Sequence, residues 1–179
     1  MPDRPSPVEL ALGHVEAGDL AGAQNCLQAD GDGETIGARY AELTGILYAR
    51  NKDVAGMLAL GRAGIDYQLH QAERAAADDS ALSLKLRTAA KSLAFNVAAN
   101  CWPGWSDDGV VIEPAHIEDG LELAKLSLGL VEELELAPGK LATASWLVGA
   151  LDLAAGRPEA AMASFDRART CSLLGGERS

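Results

Sequence analysis

Short clusters of Gly, Pro, Asp, Asn and Ser divide this sequence into segments of helix length, and this spacing constrains the fold more than any other feature. The breaks stand at residues 18–19, 31–33, 51–53, 78–80, 137–139 and 156–158, with a longer one at 102–114. Gly and Pro interrupt helices, and an Asp or Ser after a break can cap the next helix. The spacing therefore predicts eight helices joined mostly by short turns.

The segments between these breaks have the composition of helices. Ala and Leu dominate the apolar residues, and only 4% of the chain is aromatic. Val, Ile, Tyr and Phe, which strands prefer, are sparse, so an all-α fold is expected. The predicted helices run from Pro7 to near Gly18, then over residues 19–30, 34–50, 53–76, 80–101, 115–136, 138–155 and 158–173.

Apolar residues recur along these segments at helical spacing, which predicts the buried faces. Leu20, Ala23 and Leu27 form such a stripe in the second helix. The third helix is expected to bury Ile36, Tyr40, Leu43 and Leu47, and the fifth Leu86, Ala90, Leu93, Val97 and Cys101.

The last two helices carry a more specific pattern of small and aromatic residues. Val148 and Gly149 lie in the first of them, Gly156 stands at the turn, and Ala161, Phe165 and Ala168 follow in the second. Small residues such as Gly149 and Ala161 allow two helices to approach closely. The pattern resembles the tetratricopeptide repeat, and the first two helices show a weaker version of it.

The resemblance implies a right-handed superhelical stack of about four antiparallel helical hairpins, an α-solenoid, over residues 1–179 as a single domain. Residues 102–114 are an ordered loop inserted in the third hairpin, and the tail at 175–179 is expected to fray. Lys52 stands where the family has a turn Gly, and Asp152 where it usually has Tyr. A more general solenoid of helical hairpins therefore stays open.

In this family the first helices of successive hairpins line a concave groove that holds a peptide or a segment of another protein. The resemblance thus implies an adaptor that binds proteins. Four polar residues fall on one face of the fifth helix and are candidates to face such a groove: Lys85, Ser92, Asn96 and Asn100. Asn offers both a donor and an acceptor to a peptide backbone. The alternative is that the asparagines face water or cap a neighbouring element.

The segment from residue 102 to residue 119 is the most unusual stretch. It holds Trp102, Trp105, Asp107, Asp108 and His116. One hypothesis is an aromatic platform with carboxylates that binds a ligand or catalyses a reaction. The alternative is that the two indoles pin the loop onto the helices while the acids stay solvated. If the loop binds a partner, the carboxylates favour a basic one.

The charge of the chain limits the classes of partner that it is expected to bind. The net charge is −11, and residues 102–137 alone carry nine acidic and one basic residue. Nucleic acids and anionic membranes bind proteins through Lys and Arg, so neither is expected as a partner of this acidic chain. A protein or peptide, basic in character, fits the charge better. The beginning of the chain has no apolar signal core, and a cytoplasmic protein is expected.

Neither a cofactor nor a metal is predicted, and the chain is not expected to be an enzyme. Cys26, Cys101 and Cys171 are odd in number and far apart, which argues for buried thiols over a disulfide framework or a metal site. No nucleophile motif or phosphate-binding loop is present in the sequence. A third possibility is a self-associating structural protein, because the last helix is only partly polar, and a homodimer stays open.

Overall fold

The structure, a computed structural model, describes residues 5–176 and confirms an all-α protein. These residues form eight α-helices and no strand. The helices are α1 (Pro7–Glu16), α2 (Leu20–Gln28), α3 (Gly33–Ile46), α4 (Val54–Ala75), α5 (Ser80–Ala99), α6 (Pro114–Glu133), α7 (Pro138–Ala154) and α8 (Pro158–Gly176). Within the described residues, none of these helices has the length and apolar character needed to cross a bilayer.

The helix boundaries agree with the predicted breaks to within a few residues. The backbone of α8 continues to Gly176, so the first two residues of the predicted frayed tail are helical. The last three residues of that tail, and residues 1–4, lie outside the described part of the chain.

Side-chain caps start each of the first five helices. Ser6 and Glu9 form a reciprocal capping box: Ser6 Oγ accepts from the Glu9 N–H at 3.1 Å, and Glu9 Oε2 accepts from the Ser6 N–H at 2.7 Å. Carboxylates cap α2, α3, α4 and α5 by accepting the N–H three residues ahead, and these acceptors are Asp19, Asp32, Asp53 and Asp79. Each cap satisfies a backbone donor that the helix cannot.

The end of α3 is irregular. The helix widens into a π-helical turn at Leu47–Asn51 and stops at Lys52, whose φ of 56° lies in the left-handed region. The backbone N–H of Asp53 then bonds to the carbonyl of Leu47 at 2.9 Å, which closes the turn. Lys52 thus takes the conformation that glycine adopts without strain.

The chain divides into two compact units, one ending at Leu93 and the other beginning at Ala94. In the first unit α1 packs against α2 and α3 against α4, with further contacts from α1 to α3 and from α2 to α4. In the second unit α7 packs against both α6 and α8. The helices thus pack in adjacent pairs, and the superhelical stack over a single domain stays a prediction.

Most of the predicted core residues are buried. Ala23 and Leu27 in α2 are fully buried, whereas Leu20 is exposed, so that part of the prediction is wrong. Leu20 is the first residue of its helix, where fewer helical neighbours surround a side chain. The full predicted sets in α3 and along α5 are buried, namely Ile36, Tyr40, Leu43, Leu47, Leu86, Ala90, Leu93, Val97 and Cys101.

Glycines set the distance between helices at two places. A Cβ at Gly64 of α4 would lie 2.7 Å from the Cβ of Tyr40 in α3. A Cβ at Gly149 of α7 would lie 2.7 Å from Cε1 of Phe165 and 3.2 Å from the Ala161 carbonyl oxygen, both in α8. Such distances are too short for carbon atoms in contact. The close approach predicted between α7 and α8 is therefore present.

The strained turn after α3 gives a stability prediction. Replacing Lys52 with Gly should raise the free energy of unfolding by up to about 1 kcal/mol. The left-handed conformation costs a residue with a side chain about 1–2 kcal/mol, and Gly avoids this cost. Part of the stabilisation is offset because Gly has a higher conformational entropy in the unfolded state. Urea unfolding followed by circular dichroism measures the change. Lys52→Ala keeps the Cβ and is the control, so equal gains from both variants would contradict the strain.

The cap of α3 gives a pH prediction. The backbone N–H of Thr35 is the main cause that lowers the pKa of Asp32 below its ordinary value of 3.8. A lowered folded pKa means that the unfolded state binds protons first as the pH falls. The contribution of Asp32 is complete above pH 3.8 and declines as the pH falls through the folded pKa. Asp32→Asn keeps a capping oxygen, so its unfolding free energy should fall less between pH 5 and pH 2 than that of the wild type.

Candidate functional site

An open groove lies between α2 and α4 in the first unit. Its volume is about 560 Å³, and α4 provides most of the wall while α2 provides two side chains. Two small residues of α4, Ala59 and Ala63, leave room in the groove. The polar side chains that line the groove are Gln24, Gln28, Arg62, Asp66, Tyr67, His70 and Gln71.

The glutamines give this groove its chemical character. The chain has four glutamines, and three of them, Gln24, Gln28 and Gln71, line the groove. Each side-chain amide carries two N–H donors and one carbonyl acceptor. Gln24 and Gln28 line the groove from α2 and Gln71 lines it from α4, and this set of amides suits a ligand that itself alternates donors and acceptors.

A core residue holds one wall of the groove. Gln28 Nε2 donates a 2.8 Å hydrogen bond to the hydroxyl of Tyr40, which is fully buried. Burial raises the pKa of Tyr40 above its ordinary value of 10.0, although the hydrogen bond from Gln28 lowers it in part. The ring of Tyr40 lies 6.3 Å from that of Tyr67, a residue of the groove itself. The groove is therefore anchored to the core of its unit.

Charged and titratable groups complete the lining. Arg62, Asp66 and His70 stand four residues apart along α4 and thus on one face. Burial, followed by the charge of Asp32, raises the pKa of Tyr67 above 10.0, while Arg74 lowers it. The Tyr67 hydroxyl consequently stays protonated near neutral pH and can donate a hydrogen bond.

The predicted polar stripe of α5 is divided between the two units. Lys85 and Ser92 belong to the first unit, and Asn96 and Asn100 to the second. Lys85 is exposed and lies 3.4 Å from a carboxylate oxygen of Glu34. The Ser92 hydroxyl donates to the carbonyl of Thr88 at 2.9 Å, one turn earlier in the same helix. Asn96 is exposed and Asn100 half-buried. A partner-binding role for these four residues stays a prediction.

All three tryptophans of the chain meet in the second unit. The ring of Trp102 lies 4.9 Å from that of Trp105 and 5.3 Å from that of Trp146, in both cases edge to face. Trp105 also donates from Nε1 to the carbonyl of Ala99 at the end of α5, at 2.7 Å. This geometry supports the hypothesis that the indoles pin the loop onto the helices.

The turn between the two loop tryptophans depends on a glycine. Residues Pro103–Trp105 form a single 3-10 turn. A Cβ at Gly104 would lie 2.2 Å from Cζ2 of Trp102, so the indole folds directly over this residue. Trp146 in α7 is 38% exposed, and its ring meets that of Trp102 edge to face.

The acidic side chains of the loop are exposed. This holds for Asp107 and Asp108, and also for Glu113 at the start of α6. His116 accepts the backbone N–H of Glu113 through Nδ1 at 3.2 Å and so helps to cap α6. The hypothesis of a ligand site or enzyme at residues 102–119, which requires a deep pocket around His116 and carboxylates, stays untested. Docking of a basic partner on Trp102, Trp105, Asp107 and Asp108 stays a prediction.

Two of the three cysteines are buried, as predicted. Cys101 and Cys171 are buried, Cys26 is half-buried, and all three are free thiols. Cys101 donates from its thiol to the carbonyl of Val97 at 3.3 Å. Within residues 5–176, no group of three or more His, Cys, Asp or Glu side chains is placed to hold a metal ion.

The groove between α2 and α4 was not predicted, although a local signal for it exists. Arg62, Asp66 and His70 follow the same i, i+4 spacing that identified the stripe on α5, and Tyr67 and Gln71 continue it. A polar face on a helix also describes ordinary solvent exposure. This polar face of α4 forms the wall of a groove only because α2 packs beside it.

The tryptophan cluster gives a prediction that separates packing from hydrogen bonding. Trp102→Ala should lower the free energy of unfolding by about 2 kcal/mol, because it removes the ring that both other indoles contact. Trp105→Phe keeps an aromatic ring and loses only the hydrogen bond to Ala99, which should cost about 1 kcal/mol. Urea unfolding with a circular dichroism signal measures both. A smaller effect for Trp102→Ala than for Trp105→Phe would contradict the central position of Trp102.

Comparison with known proteins adds no family. The sequence matches no protein-family model, and a search of curated proteins finds no match. The function of this chain is therefore inferred from its own groove, loop and charge.

Proposed function

We propose that this protein is an interaction module that binds an extended segment of another protein in the groove between α2 and α4. The observation that carries the proposal is the lining of that groove by hydrogen-bonding side chains from two helices. An extended peptide presents one N–H and one carbonyl per residue, which the amides of Gln24 and Gln71 can satisfy together. The proposal keeps the adaptor role that the tetratricopeptide resemblance implies and assigns it to a different surface.

The size of the groove fits a short segment. The lining residues of α4 run from Ala59 to Gln71, which corresponds to about 18 Å of helix at about 1.5 Å per residue. An extended chain advances about 3.3 Å per residue, so the groove accommodates about five residues. The small side chains of Ala59 and Ala63 allow the peptide backbone to approach α4. The amides of Gln24 and Gln28 then bound the segment on the opposite side.

The charge of the protein favours a basic segment. The chain has a net charge of −11, and such a charge speeds the encounter with a cationic partner while repelling acidic ones. Asp66 lies within the groove and provides a local acceptor for Lys or Arg, whereas Arg62 favours a carbonyl or carboxylate beside it. A segment with a basic residue next to polar ones fits this lining. The right-handed stack of four hairpins and a cytoplasmic setting are part of the same proposal.

A selected peptide tests this proposal. A phage-displayed library of random peptides is screened against the folded protein, and the selected sequence is synthesised with a fluorophore. Gln24→Ala together with Gln71→Ala should weaken its binding about 30-fold, because hydrogen bonds worth about 2 kcal/mol in total are lost. Fluorescence polarisation measures the dissociation constant.

The matched control exchanges two amides elsewhere. Asn96→Ala together with Asn100→Ala removes the same chemical groups from α5 and the residue that follows it. This variant should keep the dissociation constant within about twofold, which corresponds to a change in binding free energy of under about 0.5 kcal/mol. A loss confined to the Asn variant would place the peptide on the α5 stripe and contradict the groove. Failure to select any peptide, or equal binding by all three proteins, would contradict the proposed function.

A further inference from the structure

The exposed face of α8 carries a short apolar seam with charges at its centre. Met162 and Leu173 are 66% and 65% exposed, which is high for large apolar side chains. Between them lie Asp166 and Arg169, whose side chains are 72% and 74% exposed. The four positions follow spacings of four, three and four residues, which place them along one face of the helix.

This seam is self-complementary under a two-fold axis. When two copies of α8 run antiparallel with their centres at Arg167 and Ala168, Met162 of one copy meets Leu173 of the other. The same register places Asp166 of each copy opposite Arg169 of the other. A parallel arrangement in register would place Asp on Asp and Arg on Arg, which is repulsive. The charges therefore select the antiparallel orientation.

We infer that the α8 seam, defined as Met162, Asp166, Arg169 and Leu173, binds a second copy of this chain in an isologous, antiparallel pair. Such a pair uses the same patch on both copies, as closed two-fold dimers do. In the single chain Arg169 and Asp166 form an ion pair of 3.5 Å within the helix. The second copy offers each group a further partner of opposite charge.

A neighbouring groove adds apolar surface to this contact. It lies between α7 and α8, has a volume of about 460 Å³, and is lined by Trp146, Phe165 and Arg169 among others. Trp146 is 38% exposed there. Since Arg169 belongs both to the groove and to the seam, an apolar side chain of the second copy can enter the groove beside the charge pairs. Arg167 forms a hydrogen bond with Glu132 of α6 and is not part of the seam.

The seam is independent of the groove between α2 and α4. The two surfaces belong to different units of the chain, and neither shares a residue with the other. Self-association and peptide binding can therefore succeed or fail separately.

Charge exchange between two variants tests the inference. Asp166→Arg alone places four positive charges at the contact of a homodimer, and Arg169→Asp alone places four negative charges there. Each variant should self-associate at least about tenfold more weakly than the wild type. An equimolar mixture of the two should recover association, because every facing pair is then opposite in charge. Sedimentation velocity over a concentration series, with one variant fluorescently labelled, measures both effects.

Mixing separates a contact between copies from an effect within one copy. Both single variants break the ion pair inside α8, and mixing cannot restore it. Recovery only in the mixture therefore supports the pair, with circular dichroism confirming that both variants are folded. A wild type that stays monomeric up to millimolar concentration, variants that associate as tightly as the wild type, or a mixture that behaves like its components would each overturn the inference.

Discussion

Close approach of helices at glycine is the constraint on which the rest of the structure depends. Glycine has no Cβ, so an aromatic side chain can pack directly against the helix backbone at that position. The backbone of α4 at Gly64 meets Tyr40 in this way, and that of α7 at Gly149 meets Phe165. Dispersion contacts weaken steeply with distance, and a helix displaced by the size of one methyl group would lose many of them.

The groove between α2 and α4 follows from this packing. Because Gly64 admits the Tyr40 side chain, the Tyr40 hydroxyl reaches Gln28 and orients its amide at the edge of the groove. A change in the core at Tyr40 would thus disturb the groove without touching most of its lining. The groove lining and the core of the unit are thus linked through the hydrogen bond between Gln28 and Tyr40.

In the second unit, aromatic and apolar side chains remain partly exposed at the surface. Its three indoles are used to attach the loop to α5 and α7, although Trp105 and Trp146 keep part of their surface exposed. Helix α8 packs on α7 with one face and leaves Met162 and Leu173 on the other. Here the polar groups stand at the centre of the seam and the apolar ones at its ends.

The sequence by itself determined the helices, their starts and most of their buried faces. A cap such as Asp32 acts on a backbone group three residues away, and the stripe of α5 repeats every turn, so both can be recognised locally. Exposed Leu20 shows where periodicity fails, at the first residue of a helix. Only the tertiary structure decided that Gln24 and Gln71 line the same groove, and that the ring of Trp146 meets that of Trp102 edge to face. These partners are distant in the chain, and local preference carries no information on which helix faces come to lie side by side.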